Sequence, residues 1–241
     1  LVLLALIRTS DIYKLHLRKV RFFEGSLSSI LRIGIPAGLQ AAMYSLSNII
    51  IQTALNALGT DTVAAWTSFG KMDAFCWMVI SAFGISATTF VGQNYGAGKY
   101  DRVRKSVRVC LGMTLASSIT MSIFLMTAGK YLFHLFTSDP EVIRIGIQIL
   151  NYMAPAYALF VFIEIYSGAL RGIGDVIIPT IMTCCGVCVF RTLWVFLLVP
   201  KSPTIETITL SYPISWGITA VLFIIYYYKK QKKLGMENFD Q

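Results

Sequence analysis

The chain has 241 residues, of which 56% are apolar or aromatic and only 14% carry charge. Soluble domains average about 25% charged residues, so the polar coat of a soluble globule is missing, and a mean hydropathy of +0.66 agrees. A soluble enzyme, a disordered chain and a disulfide scaffold are excluded. What remains is a protein that crosses the bilayer several times.

In chain order, residues 1–7 are apolar but too short to span, and lack the flanks of a signal peptide. They read as the tail of a truncated transmembrane helix. Residues 8–32 form a basic linker with Arg8, Lys14, Arg18, Lys19, Arg21 and Arg32. A spanning helix needs about 20 mainly apolar residues, and six stretches qualify: 33–57, 66–93, 106–128, 145–169, 176–199 and 208–228. Their unbroken apolar runs exclude barrel strands, which alternate. The expected fold is all-α, a six-helix membrane lobe over 33–228, followed by a tail over 229–241.

A net charge of +9 raises nucleic acid as a partner, but the basic residues stand in short clusters between apolar runs, as membrane loops do. Sixteen fall on one side: the linker, Lys99 to Arg108, Arg171 and Lys229 to Lys233. Only Lys130, Arg144 and Lys201 fall on the other. The bias places the linker and the C-terminal tail in the cytoplasm, with Tyr226, Tyr227 and Tyr228 at the interface. The five cysteines lie within apolar runs and act there as small apolar side chains; no metal site is expected.

Polar residues inside the spans carry the functional signal. Gln40, Tyr44, Asn48, Gln52 and Asn56 recur every fourth position on the first helix, so the stripe winds slowly along one face. A lipid-facing row of amides would be costly, and the stripe is expected to look into a bundle or a wet cavity. Lys71, Asp73, Glu164 and Arg191 are intramembrane charges and so functional candidates. Lys71 stands near a helix end, from which it could snorkel. Asp73 and Arg191 share a depth and suggest an ion pair, while Glu164 has no partner obvious from sequence. Pro155 inside the fourth span removes a backbone hydrogen bond and marks a hinge.

Catalytic signatures are missing. Gly92-Gln93-Asn94-Tyr95-Gly96-Ala97-Gly98-Lys99-Tyr100 imitates a phosphate loop, yet Tyr follows Gly-Lys where Ser or Thr is needed, and a membrane helix precedes it. No catalytic residue and no cofactor are expected.

Three motifs carry a family resemblance. Gly34-Ile35-Pro36-Ala37-Gly38-Leu39-Gln40 resembles the opening of a helical half in the multidrug and toxic compound extrusion (MATE) transporters. Val91 through Lys99, followed by Arg102 and Arg108, resembles the end of the next helix. Ser167-Gly168-Ala169-Leu170-Arg171-Gly172-Ile173-Gly174-Asp175 resembles the cytoplasmic turn between the fourth and fifth helices of the C-terminal half. The resemblance implies the C-terminal lobe of a twelve-helix transporter in the cell inner (plasma) membrane, with the N-terminal lobe as its partner. It implies antiport of organic, often cationic, drugs against Na+ or H+ by alternating access. The family often places carboxylates on the first and fourth helices of this lobe; here the first helix has none, and Glu164 lies on the fourth. A flippase for lipid-linked saccharides, which would want a basic cavity, and a channel or non-transporting scaffold are the alternatives. Lys71 and Arg191 against Asp73 and Glu164 leave no net intramembrane charge.

Overall fold

A computed structural model of the chain describes residues 6–9, 14–15 and 24–234. The expected helix tail over 1–7, most of the linker and the end of the C-terminal tail lie outside the described residues, apart from one short helical turn at 6–8. Two compact units are separated at Pro36, Leu1–Ile35 and Pro36–Gln241; apart from the first residues of α1, everything below concerns the second.

Among the described residues the regular elements are helical, and six long helices follow one another. They are α1 (Glu24–Asn56), α2 (Thr60–Gly96), α3 (Tyr100–His134), α4 (Pro140–Gly172), α5 (Ile177–Leu198) and α6 (Ile205–Lys233). Four of the expected spans fall within one of them, while 33–57 overruns its helix by one residue and 176–199 by one residue at each end. Among the described residues five, α2 to α6, are long and apolar enough to cross a membrane, where six spans were expected; α1 is the one that falls short. Helix α1 carries the stripe of Gln40, Asn48, Gln52 and Asn56, whose amides interrupt its apolar run.

Helix α4 is the centre of the bundle. Ile149, Met153, Tyr157, Phe160, Ile163 and Ile165 are all buried on it, and a helix that is apolar all round belongs inside. It packs against α2, α3 and α6. Its crossing with α2 is built from glycine: a Cβ on Gly168 would stand 2.6 Å from the Gly84 carbonyl, and one on Gly172 would stand 2.7 Å from the Thr88 carbonyl. Small residues of this kind let membrane helices approach closely where no hydrophobic force drives them together. Inside α4 the helix runs through Pro155 without a break.

Two of the sequence motifs are helix stops. Gly98 takes φ +70°, and the Lys99 N–H donates to the Asn94 carbonyl at 2.8 Å. Gly174 takes φ +85°, and the Asp175 N–H donates to the Leu170 carbonyl at 2.9 Å. Both are six-to-one closures around a left-handed residue, which favours glycine because it has no Cβ. Beyond the second stop, Asp175 accepts from Tyr226 at 2.6 Å and from Lys230 at 2.7 Å, tying the end of α4 to the end of α6.

The one departure from α geometry within the bundle lies in α5, where Cys184–Val189 forms a π-helical stretch. Gly186 sits in it with no room for a side chain, because a Cβ would overlap the Thr219 hydroxyl of α6.

Candidate functional site

A cavity of about 520 Å³ opens between α1, α2, α4, α5 and α6. Four residues of the α1 stripe, Gln40, Tyr44, Asn48 and Gln52, line it. Asn56, the fifth, accepts a hydrogen bond from Gln52 at 2.9 Å. Stacking four apart on one face brings these side chains to a common wall. Ser47, Ile51 and Leu55, each 2% exposed or less, lie on the same face as the stripe, and Ile51 also lines the cavity. At the N-terminal end of the stripe, Thr180 of α5 donates to Gln40 at 3.5 Å.

The charged residues meet in the same cavity: Asp73 from α2, Glu164 from α4 and Arg191 from α5. Lys71 does not. Two residues before Asp73 is a turn of about 200°, so Lys71 faces outward, is exposed, and holds its Nζ 5.6 Å from the Phe136 ring.

Asp73 and Arg191 are not an ion pair, which corrects the expectation from their shared depth. Tyr157 donates to one carboxylate oxygen of Asp73, and the Trp77 indole donates to the other at 2.7 Å. Arg191, 2% exposed, spreads its guanidinium over two aromatic faces, Tyr212 at 4.0 Å and Trp216 at 5.7 Å, and donates to Ser215 at 3.4 Å. A desolvated guanidinium over aromatic faces gains about 2 kcal/mol or more, which offsets part of its burial.

Glu164 does have a partner. Arg171, seven residues on and therefore on nearly the same face of α4, places an Nη 3.6 Å from its carboxylate. The other side of Glu164 lies against Gly84, where any Cβ would overlap the carboxyl group. Glu164 thus fills the notch that the glycine leaves.

The remaining wall is aromatic. Trp66, Phe69, Trp77, Phe160 and Tyr212 all face the cavity. Behind them Trp216 is fully buried, 5.3 Å from Phe160 and 5.6 Å from Tyr212 between ring centroids. Sequence reasoning singled out none of these rings. The signal was present on α2, where Trp66, Phe69, Asp73 and Trp77 fall within about 80° of arc at 100° per residue. Pro155 is exposed and lines no part of the cavity.

Among the described residues, no group of three or more His, Cys, Asp or Glu is placed to hold a metal ion. The arrangement as a whole is a recess lined by carboxylates, amides and π faces.

Comparison with known proteins agrees with this architecture. The MatE family model matches residues 36–197, more than half of the chain. The chain belongs to the MatE family. It is 24% identical over 225 residues to the Probable multidrug resistance protein YoeA of Bacillus subtilis, covering 93% of this chain and 49% of that protein. Human Multidrug and toxin extrusion protein 1 is 25% identical over 159 residues, covering 66% of this chain and 28% of that protein. The crystal structure of MATE in complex with MaL6 superposes with a TM-score of 0.85 at 19% identity, covering 95% of this chain and 52% of that one. The outward-facing conformation of a multidrug resistance MATE family transporter of the MOP superfamily gives the same score, identity and coverage. At that identity the likeness establishes the fold. The chain spans about half the length of YoeA and of these solved structures. With its apolar helices and MatE relatives, it is a multi-pass membrane protein.

Proposed function

We propose that this chain is the C-terminal lobe of a multidrug exporter that exchanges organic cations for Na+ or H+ by alternating access. The observation that carries the reading is the charge of the cavity. Asp73 and Glu164 face it against Arg191 alone, because Lys71 points away. With both carboxylates ionised the lining residues carry a formal charge of −1, and Arg171, 3.6 Å from Glu164 but not itself in the lining, offsets part of that carboxylate. Arg191 is already engaged by Tyr212 and Trp216, and the half-buried rings of Trp66 and Trp77 offer further π faces. Aromatic faces with nearby carboxylates suit a soft organic cation, and a negative cavity disfavours the phosphates of a lipid-linked saccharide.

Antiport needs one negative site that either ligand can occupy but not both. Glu164 fits that role. It lies at the cavity edge with its side chain about a fifth exposed, and its basic neighbour Arg171 is 3.6 Å away. A proton or a sodium ion on Glu164 would cancel the charge that holds a cationic drug. By the charge bias of the loops we place the linker and the C-terminal tail in the cytoplasm, and the resemblance to the MATE transporters implies the plasma membrane. The missing half of the cavity would come from an N-terminal lobe.

The test is efflux of ethidium from cells lacking other pumps, with sodium and proton gradients imposed separately. Efflux driven by one of the two gradients, and abolished by Glu164→Gln at unchanged membrane abundance, supports the reading. Efflux indifferent to both gradients would overturn the antiport, and undiminished efflux in the variant would remove Glu164 from the coupling.

A further inference from the structure

A second recess lies apart from the cavity, between α2 and α3 on the end of the bundle where the Gly98 turn joins them. It measures about 660 Å³. Helix α3 contributes nothing to the central cavity. Phe90 on the α2 side is about 100° around that helix from Asp73, so the groove opens on a different face.

Its two parts differ in chemistry. Phe83 and Phe90 from α2 and Val109 and Met113 from α3 make an apolar trough. Phe90, Val109 and Met113 are 54%, 48% and 53% exposed, so the trough is open along its length. At its mouth stand Arg102 and Lys105, one helical turn apart and both exposed. Neither has an acidic partner among the described residues, since Asp101, the neighbouring acid, is taken by Arg104 at 2.7 Å. Each wall, Phe83 to Asn94 and Arg102 to Met113, is about 16 Å long at 1.5 Å per residue. That is the depth of one leaflet, half of a hydrocarbon core about 30 Å thick.

We propose that this groove binds one anionic phospholipid, with its phosphate between Arg102 and Lys105 and an acyl chain along Phe83, Phe90, Val109 and Met113. Two unopposed cations at headgroup depth, directly above an apolar channel of leaflet length, match a phosphodiester joined to a hydrocarbon tail. A free anion would leave the trough unused, and a neutral lipid would leave the two charges unanswered. The inference rests on the membrane placement of the bundle and is independent of the transport reading, so each fails separately.

The experiment is native mass spectrometry of the whole protein purified in mild detergent, titrated with phosphatidylglycerol and phosphatidylcholine of identical acyl chains. One retained phosphatidylglycerol is expected, at roughly tenfold or greater preference, since each basic residue at such a surface favours an anionic lipid by about fivefold. Arg102→Gln with Lys105→Gln should abolish the preference at an unchanged melting temperature. Val109→Trp should lower retention of both lipids by filling the trough without touching the charge. Lys232→Gln with Lys233→Gln removes the same charge at another exposed site and should change nothing. Equal retention of the two lipids, a preference that survives the Arg102 and Lys105 substitutions, or an equal loss in the Lys232 and Lys233 control would overturn the site. Failure to retain any lipid, or displacement by inorganic phosphate at millimolar concentration, would overturn it as well.

Discussion

The guanidinium of Arg191 lies 4.0 Å over the ring of Tyr212, while the Asp73 carboxylate in the same cavity is held by Tyr157 and Trp77. Opposite charges that share a low-dielectric recess without bonding each other are separately solvated by the protein. That separation leaves the acid free to interact with a cation that enters.

The first prediction follows from it. Tyr157→Phe should destabilise by about 1.5–3 kcal/mol, the usual worth of a hydrogen bond to a charged group. In a double-mutant cycle read by chemical unfolding in detergent, Asp73→Asn should couple strongly to Tyr157→Phe and weakly to Arg191→Gln. A stronger coupling to Arg191→Gln would mean that the two charges meet after all.

Glycine 84 offers a second test. Gly84→Ala places a methyl group where the Glu164 carboxyl group now lies, and overpacking of this kind costs about 1–3 kcal/mol. Glu164→Asp withdraws the carboxyl group by one methylene. Gly84→Ala combined with Glu164→Asp should therefore regain stability that Gly84→Ala loses. If the double variant is no more stable than Gly84→Ala, the notch does not set the position of Glu164.

The cytoplasmic assignment of the helix ends is checked by cysteine labelling in intact cells. Ser202→Cys, in the α5–α6 loop, should react with an impermeant maleimide from outside. Lys233→Cys, at the end of α6, should react only after permeabilisation. The reverse pattern would invert the topology.

Asp175 joins the ends of α4 and α6 through Tyr226 and Lys230, at 2.6 and 2.7 Å. Its side chain is 12% exposed, so the bonds are screened little. Asp175→Asn should cost about 1–3 kcal/mol, and amide exchange should quicken over the last two turns of α6 while the other end of that helix is unaffected. Uniform change along α6 would speak against a local tie.

Much of this was legible in the sequence because the bilayer narrows the choices. Continuous apolar runs located every helix, and the four-residue spacing of Gln40, Tyr44, Asn48 and Gln52 located the wall they form. Side-chain partners were harder. Equal depth suggested that Asp73 and Arg191 meet, but depth says nothing about azimuth, and rotation about α5 turns Arg191 toward α6. Lys71 misled for the same reason, two residues from Asp73 yet on the opposite face. Arg171 was counted as a loop charge, although its seven-residue spacing from Glu164 places both on one face of α4. The aromatic wall went unread because rings in a membrane protein look like ordinary core until a carboxylate shares their arc.

The π-helical stretch in α5 determines where Arg191 points. A π turn holds about one residue more than an α turn, so Cys184–Val189 carries a surplus residue between Thr180 and Arg191. Relaxing that segment to ordinary pitch would rotate everything beyond it by about 100°. The Gln40 contact at Thr180 would stay in place while Arg191 swung away from Tyr212. Deleting a single residue from the cysteine-rich stretch removes that surplus, so α5 should become regular α-helix with Arg191 still over Tyr212, whereas the full-length stretch can hold Arg191 there only as a π turn.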